Sequence, residues 1–155
     1  MNSFSVDVAE TSADIKLTFH GSLSENSSMP VISTVNRPIL IDMLDLKYIN
    51  SYGIKLWCQW TLQQQSVKQI IFENCPFVFV KHITAVRGLW TSNMTMKSFF
   101  VPYYSDEAQE RKDVLFTEGV HFTQQGVREI PQVQDSKGQP MELDVNKSTY
   151  FSFLK

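Results

Sequence analysis

The chain has 155 residues, a size suited to one domain or to one domain with a small appendage. Its 43% hydrophobic and 19% charged residues, with 11 Phe, 5 Tyr and 3 Trp, supply a real core and exclude wholesale disorder. A formal net charge of −2 with no Lys/Arg cluster argues against nucleic acid as the main partner.

Residues 4–8 and 15–19 alternate apolar and polar, the pattern of half-buried strands, and a turn near 10–14 joins them. Residues 21–36, rich in Gly, Ser, Asn and Pro, read as a loop with at most a short helix around 29–35. The apolar run 39–44 after Pro38 reads as a central strand buried on both faces. Residues 45–50 then lead to Ser51, which suits an N-cap. Residues 52–65 contain no proline and form the clearest helix. Its core stripe is read at Ile54, Trp57, Cys58, Thr61 and Leu62. Tyr52, Leu56 and Trp60 form a separate stripe, either covered by another element or exposed as a partner's anchor. Residues 68–72 predict a second buried strand, 74–86 a second helix opened by Pro76, and 96–103 a further strand. Strands joined by helices imply crossovers and a largely parallel sheet, so the fold class is α/β.

After Tyr104 the chain becomes more acidic and poorer in helix signals. Segments 114–116 and 121–123 flank Glu118-Gly119 as a predicted hairpin, and Lys137-Gly138 marks a second turn. The end, residues 149–154, is too apolar to float free. The boundary is placed near residue 104, giving a main domain over 1–104 and a small β-rich lobe over 105–155.

Residues 39–42, followed by 46–57 with Asn50-Ser51-Tyr52-Gly53 opening the helix, resemble the STAS family. This family comprises anti-sigma-factor antagonists and the soluble domains of some anion transporters. The order of elements over residues 4–103 matches it too. The resemblance implies a mixed, mostly parallel sheet with flanking helices, and a non-enzymatic interaction module in bacterial regulation. Its partner would be an anti-sigma factor, a kinase-like regulator or a second copy of the chain. The partner surface would fall on Asn50, Ser51, Tyr52, Leu56 and Trp60. The family's antagonists are phosphorylated on the hydroxyl residue before the glycine, which adds about −1.5 to −2 charges. Here that residue is Tyr52, which a serine kinase does not accept, and the family's aspartate is Asn50. Ser51 and Tyr52 are the candidate phosphorylation positions, with plain N-capping the other role open to Ser51.

The tail resembles a zinc-ribbon extension without its cysteines. Ser105 and Ala108 stand where a first C-x-x-C knuckle would be, and Gln134 and Lys137 where a second would be. Phe116, Phe122, Leu143, Tyr150, Phe151, Phe153 and Leu154 can replace the metal's contribution, if the tail lies against the main domain.

Other chemistry is sparse. His20, His82 and His121 lie far apart without ligand spacing, so no metal or cofactor is expected. Cys58 and Cys75 make no disulfide framework and read as packed, reduced thiols, although a helix start after Cys75 would favour a lowered pKa. Asp42 and Asp45 end a central strand as a receiver's phosphoacceptor would, but residues 20–26 lack the acidic pair a receiver needs. No G-x-S-x-G, P-loop or G-x-G-x-x-G occurs, and no enzyme activity is expected. No apolar run approaches the ~18–20 residues of a membrane span, and residues 1–10 lack a signal peptide's basic start and apolar stretch. A cytoplasmic location is the expectation. The alternative function is a small-ligand carrier or sensor using a cleft between the main domain and the C-terminal lobe.

Overall fold

The computed structural model describes residues 3–32 and 36–155. The chain opens with a hairpin of β1 (Ser5–Glu10) and β2 (Ile15–Leu23), with Val6 opposite Phe19 and Val8 opposite Leu17. The turn between them is held by Thr11, whose N–H donates to the Asp14 carbonyl while its hydroxyl accepts from the Asp14 N–H. Strand β3 (Ile39–Ile49) lies parallel to β2, and α1 (Ser51–Gln63) returns the chain to β4 (Ile70–Glu73), again parallel. A short helix, α2 (Phe77–Val80), precedes β5 (Met94–Met96), which completes a mixed, mostly parallel sheet of order β1-β2-β3-β4-β5.

The second sheet is antiparallel. It contains β6 (Ser98–Ser105), β7 (Glu110–Thr117) and, after the hairpin of β8 (Phe122–Thr123) and β9 (Gly126–Val127), the short β10 (Glu142–Leu143). Its order is β10-β6-β7, and α3 (Lys147–Tyr150) closes the chain.

Several expectations need correction. Strand β2 runs on through Leu23, and β3 absorbs residues 45–49, so the loop and link read from composition are shorter. Residues 29–32 are not helical, and the rest of the helix expected around 29–35 falls on 33–35, outside the described residues. Strand β3 is buried on one face only: Ile39, Ile41 and Met43 are covered, whereas Leu40 and Asp42 are half-buried. The second helix spans four residues and continues as turns. The single strand expected over 96–103 is two strands meeting at Lys97. There the chain leaves β4, the Lys97 N–H donating to the Phe72 carbonyl at 2.7 Å, and from Ser98 it pairs with β7. Thus the second sheet begins inside the segment assigned to the main domain. The hairpin expected between 114–116 and 121–123 forms instead between β8 and β9: the N–H groups of Val120 and His121 turn back onto the Thr117 carbonyl, and Phe122 and Thr123 pair with Val127 and Gly126 rather than with β7.

Trp57 organises the core between α1 and the first sheet. Its ring lies edge-on to Phe19, Phe72 and Phe79 at 5.9, 5.8 and 5.2 Å, and its Nε1 donates to the Leu89 carbonyl at 2.8 Å. The tail does pack against this body. Phe153 meets Trp90 edge-on at 5.7 Å, Tyr150 stacks on Phe77 at 5.9 Å, and the Tyr150 hydroxyl donates to the Phe100 carbonyl at 2.6 Å. Phe116, Phe122, Phe151 and Leu154 are buried with them in one apolar cluster.

Candidate functional site

The β3–α1 junction is built tightly. Asn50, not Ser51, is the N-cap: its side-chain oxygen accepts from the Gly53 N–H at 2.9 Å. Asn50 also ties the junction to β2, its N–H donating to the Leu23 carbonyl at 3.2 Å and its Nδ2 to the Glu25 carboxylate at 2.9 Å. That bond holds the Glu25 carboxyl below its usual range. Gly53 is needed because α1 starts against the end of β2: a Cβ there would overlap the Leu23 carbonyl oxygen and lie 2.7 Å from its carbon.

The predicted surface residues separate on this frame. Ser51 is exposed, and Tyr52 is 61% exposed. Leu56 is half-buried. Trp60 is withdrawn from the surface: it is 2% exposed, its ring packs 5.4 Å from Trp57, and its Nε1 donates to the Pro30 carbonyl at 2.8 Å. The stretch around Pro30 therefore covers Trp60. The buried face of α1 is Gly53, Trp57, Trp60 and Thr61, with Ile54 and Cys58 half-buried beside it. Leu62, expected in the core, is 63% exposed. Sequence reasoning missed Tyr48 on β3, which is 44% exposed close before the junction, and Leu44, read within a strand buried on both faces, is 55% exposed. The signal for Tyr48 was a strand that runs on beyond its apolar stretch.

A second cluster crosses the hairpin. His20 on β2 meets Asp45 on β3 through Nδ1 at 2.7 Å and Asp7 on β1 through Nε2 at 2.9 Å. With a carboxylate on each ring nitrogen, the imidazole satisfies both only as the doubly donating cation. Its pKa is accordingly raised, first by the Asp45 bond and then by the Asp7 bond, while Asp45 is held low, first by His20 and then by Lys47. A raised folded-state pKa gives stability that is full below the unfolded value near 6.5 and lost as pH rises through the folded value. The melting temperature should fall over that window in the native chain and not in His20→Gln, as a pH series of thermal melts would read. Equal pH slopes in the two proteins would remove the clamp from the account.

The tail brings two tight turns together. The first runs from Ser105 to Ala108, with Gln109 at φ 50°, and the second ends at Gly138 with φ 77°. Ser105, buried, donates its hydroxyl to the Asp135 carboxylate at 2.5 Å and accepts from the Ala108 N–H at 3.2 Å. The other Asp135 oxygen accepts from the Lys137 and Gln139 N–H groups at 2.8 and 3.0 Å. Thus Asp135, rather than Gln134 or Lys137, reaches across to the first turn, and Gln134 and Lys137 are exposed. Asp135 titrates below its usual range, the Ser105 hydrogen bond being the main cause. Among the described residues no group of three His, Cys, Asp or Glu side chains is arranged to hold a metal. Ser105→Ala should cost ~2 kcal/mol by leaving a buried carboxylate oxygen short of its donor. Denaturant unfolding measures this, and a change below ~0.5 kcal/mol would show that the two turns do not depend on the bond.

Cys75 is fully buried and its thiol is pushed well up, first by desolvation and then by Asp42 and Glu73, so the helix start after it does not activate it. Cys58 is half-buried and also raised by desolvation. The His121 Nδ1 accepts from the Thr117 N–H at 2.9 Å, and His82 is lowered chiefly by desolvation. Asp42 accepts from the Leu44 N–H and from the Asn74 side chain, which gives it a local structural role.

A cleft of about 300 Å³ lies where the two sheets meet. Leu44, Leu46 and Lys47 of β3 and Pro76, Phe77 and Val78 around α2 form one side, and Phe100, Arg111 and Asp113 form the other. Among the described residues no helix is long and apolar enough to cross a membrane. No protein-family model matches the chain, and no curated protein matches it.

Proposed function

We propose that the chain is a non-enzymatic, STAS-like interaction module that presents the β3–α1 junction to a regulatory protein, such as an anti-sigma factor or a kinase-like ATPase domain. The observation that carries this is Tyr52: a large aromatic, 61% exposed, on a helix start fixed from three sides by the Asn50 cap, the Gly53 approach and the Glu25 bond. An exposed aromatic on a rigid support loses little entropy on docking and is a favoured binding anchor. Tyr48, exposed near the end of β3, adds a second aromatic close before the junction. The order of a β-hairpin followed by parallel strands, with the helix entered through Asn50-Ser51-Tyr52-Gly53, supports the family reading. The two facing turns of the tail, each with a left-handed residue, support reading it as a ribbon in which Ser105 and Asp135 stand in for a metal.

The surface acts in this reading without a phosphate switch. Glu25 already places a carboxylate beside Asn50, and a phosphate on Ser51 would meet its repulsion. Titration calorimetry of the purified chain against a purified kinase-like ATPase domain from the same genome tests the proposal. Tyr52→Ala should weaken binding by about 30-fold, or ~2 kcal/mol, with an unchanged melting temperature. Unaltered binding by this variant would remove the junction as the interface.

A specific observation favours a second reading, the small-ligand carrier or sensor. The cleft between the sheets has walls from both parts of the chain and lies beyond the carboxyl end of β4, a place where α/β sheets bind ligands.

A further inference from the structure

We propose that this cleft binds a small monocarboxylate with an apolar or aromatic body, an inference that rests on the small-ligand reading. Its walls are largely apolar: Leu44, Leu46, Pro76, Phe77, Val78 and Phe100. Such walls hold a hydrophobic body, and a few placed polar groups then select the ligand.

The selecting group is Arg111. Its guanidinium sits over the Phe77 ring, 5.2 Å from the centroid, and Tyr150 stacks on the same ring. The cation is thereby positioned at the cleft by an aromatic platform. Its donors are only loosely engaged, by ion pairs with Asp113 and Asp144. The nearest carboxylate oxygens, on Asp113 and Asp144, stand at 3.5 and 4.0 Å, beyond the ~2.7–2.9 Å of a charge-assisted hydrogen bond. A planar fork with weakly engaged donors matches a carboxylate, which can take two of them at once. Lys47 adds a second cation on the opposite side, itself paired with Asp45 at 3.2 Å, and Lys81 lies 5.4 Å from the Phe77 centroid. Asp113 beside Arg111 disfavours a dianion, so a single carboxylate is the better fit. The cleft is small, which limits the body to about one ring or a short chain.

The test is an NMR titration of the full chain with phenylacetate, 2-phenylethylamine and 2-phenylethanol. These share a ring and differ in charge, and concentrations reach ~10 mM because ligands of this size bind weakly. Phenylacetate should shift the amides of Lys47, Val78 and Arg111, with smaller effects from the other two. Arg111→Gln should weaken phenylacetate about tenfold or more, with Arg111→Lys between it and the native chain. The Arg111 side chain is 46% exposed, and circular dichroism melts establish that both variants fold. Equal binding of the three compounds, or unchanged binding by Arg111→Gln, would overturn the carboxylate assignment and leave the small-ligand reading standing. No shift at the cleft with any compound would overturn both.

Discussion

Gly53→Ala is expected to destabilise the protein by ~3 kcal/mol, the upper part of the usual range for forcing an atom into a packed site. The obstacle is backbone: the new methyl would overlap the Leu23 carbonyl oxygen, with Ile49 Cγ1 at 3.1 Å on another side. A flexible side chain could swing away, but a strand carbonyl cannot. The same carbonyl accepts from the Asn50 N–H, so any shift that relieves the clash also loosens the cap of α1. For a chain of this length the melting temperature should drop by roughly 6–12 °C. Ser51→Ala is the control. Ser51 is exposed in the same turn and should change stability by no more than ~0.5 kcal/mol. A Gly53→Ala protein that melts with the native chain would show that α1 does not start against β2 as described.

Trp57→Ala has a larger expected cost. Removing a fully buried large aromatic typically destabilises by ~3–5 kcal/mol. Here it also strips the Leu89 carbonyl of its donor, worth a further ~1–3 kcal/mol. Against a total stability of ~5–15 kcal/mol this leaves little folded protein at physiological temperature. Trp57→Phe separates the two contributions. It keeps a ring among Phe19, Phe72 and Phe79 but loses the hydrogen bond, so it should fall between the native chain and Trp57→Ala in denaturant unfolding. If Trp57→Ala unfolds within ~1 kcal/mol of the native chain, Trp57 is not the centre of this core.

Much of the first sheet was legible because its signals are local. Alternation marked β1 and β2, the run after Pro38 marked β3, and the proline-free stretch with Trp57 at its centre marked α1. The errors arose where a distant segment decides. For Trp60 the sequence left cover by another element and exposure both open, and Pro30, far back in the chain, supplies the acceptor that decides for cover. Leu62 was read as core because helical spacing alone does not say which face turns inward. The orientation is set by the Gly53–Leu23 approach, which brings 53, 57, 60 and 61 against the sheet. The break at Lys97 is a change of partner, not of residue character, so the composition of 94–105 reads as continuous strand.

The tail shows the same limit at finer scale. The resemblance to a zinc ribbon pointed to Gln134 and Lys137, whereas the side chain that reaches Ser105 is Asp135. Its carboxylate is the group able to accept from the Lys137 and Gln139 N–H groups and the Ser105 hydroxyl together. At the candidate surface, the helix start that groups Asn50, Ser51 and Tyr52 was legible because they are chain neighbours. Phe77 and Arg111 were not, since only the packing of the second sheet on the first brings the guanidinium over the ring.

The central claim is that the β3–α1 junction is the face offered to a regulatory protein. Hydrogen exchange of the native chain, alone and mixed with a purified kinase-like ATPase domain from the same genome, tests it most directly. The account predicts slowed exchange on complex formation across residues 48–56, with the outer edge at β1 unchanged. A complex whose protection falls elsewhere and leaves 48–56 exchanging at the free rate would contradict it, as would the absence of any complex with such domains.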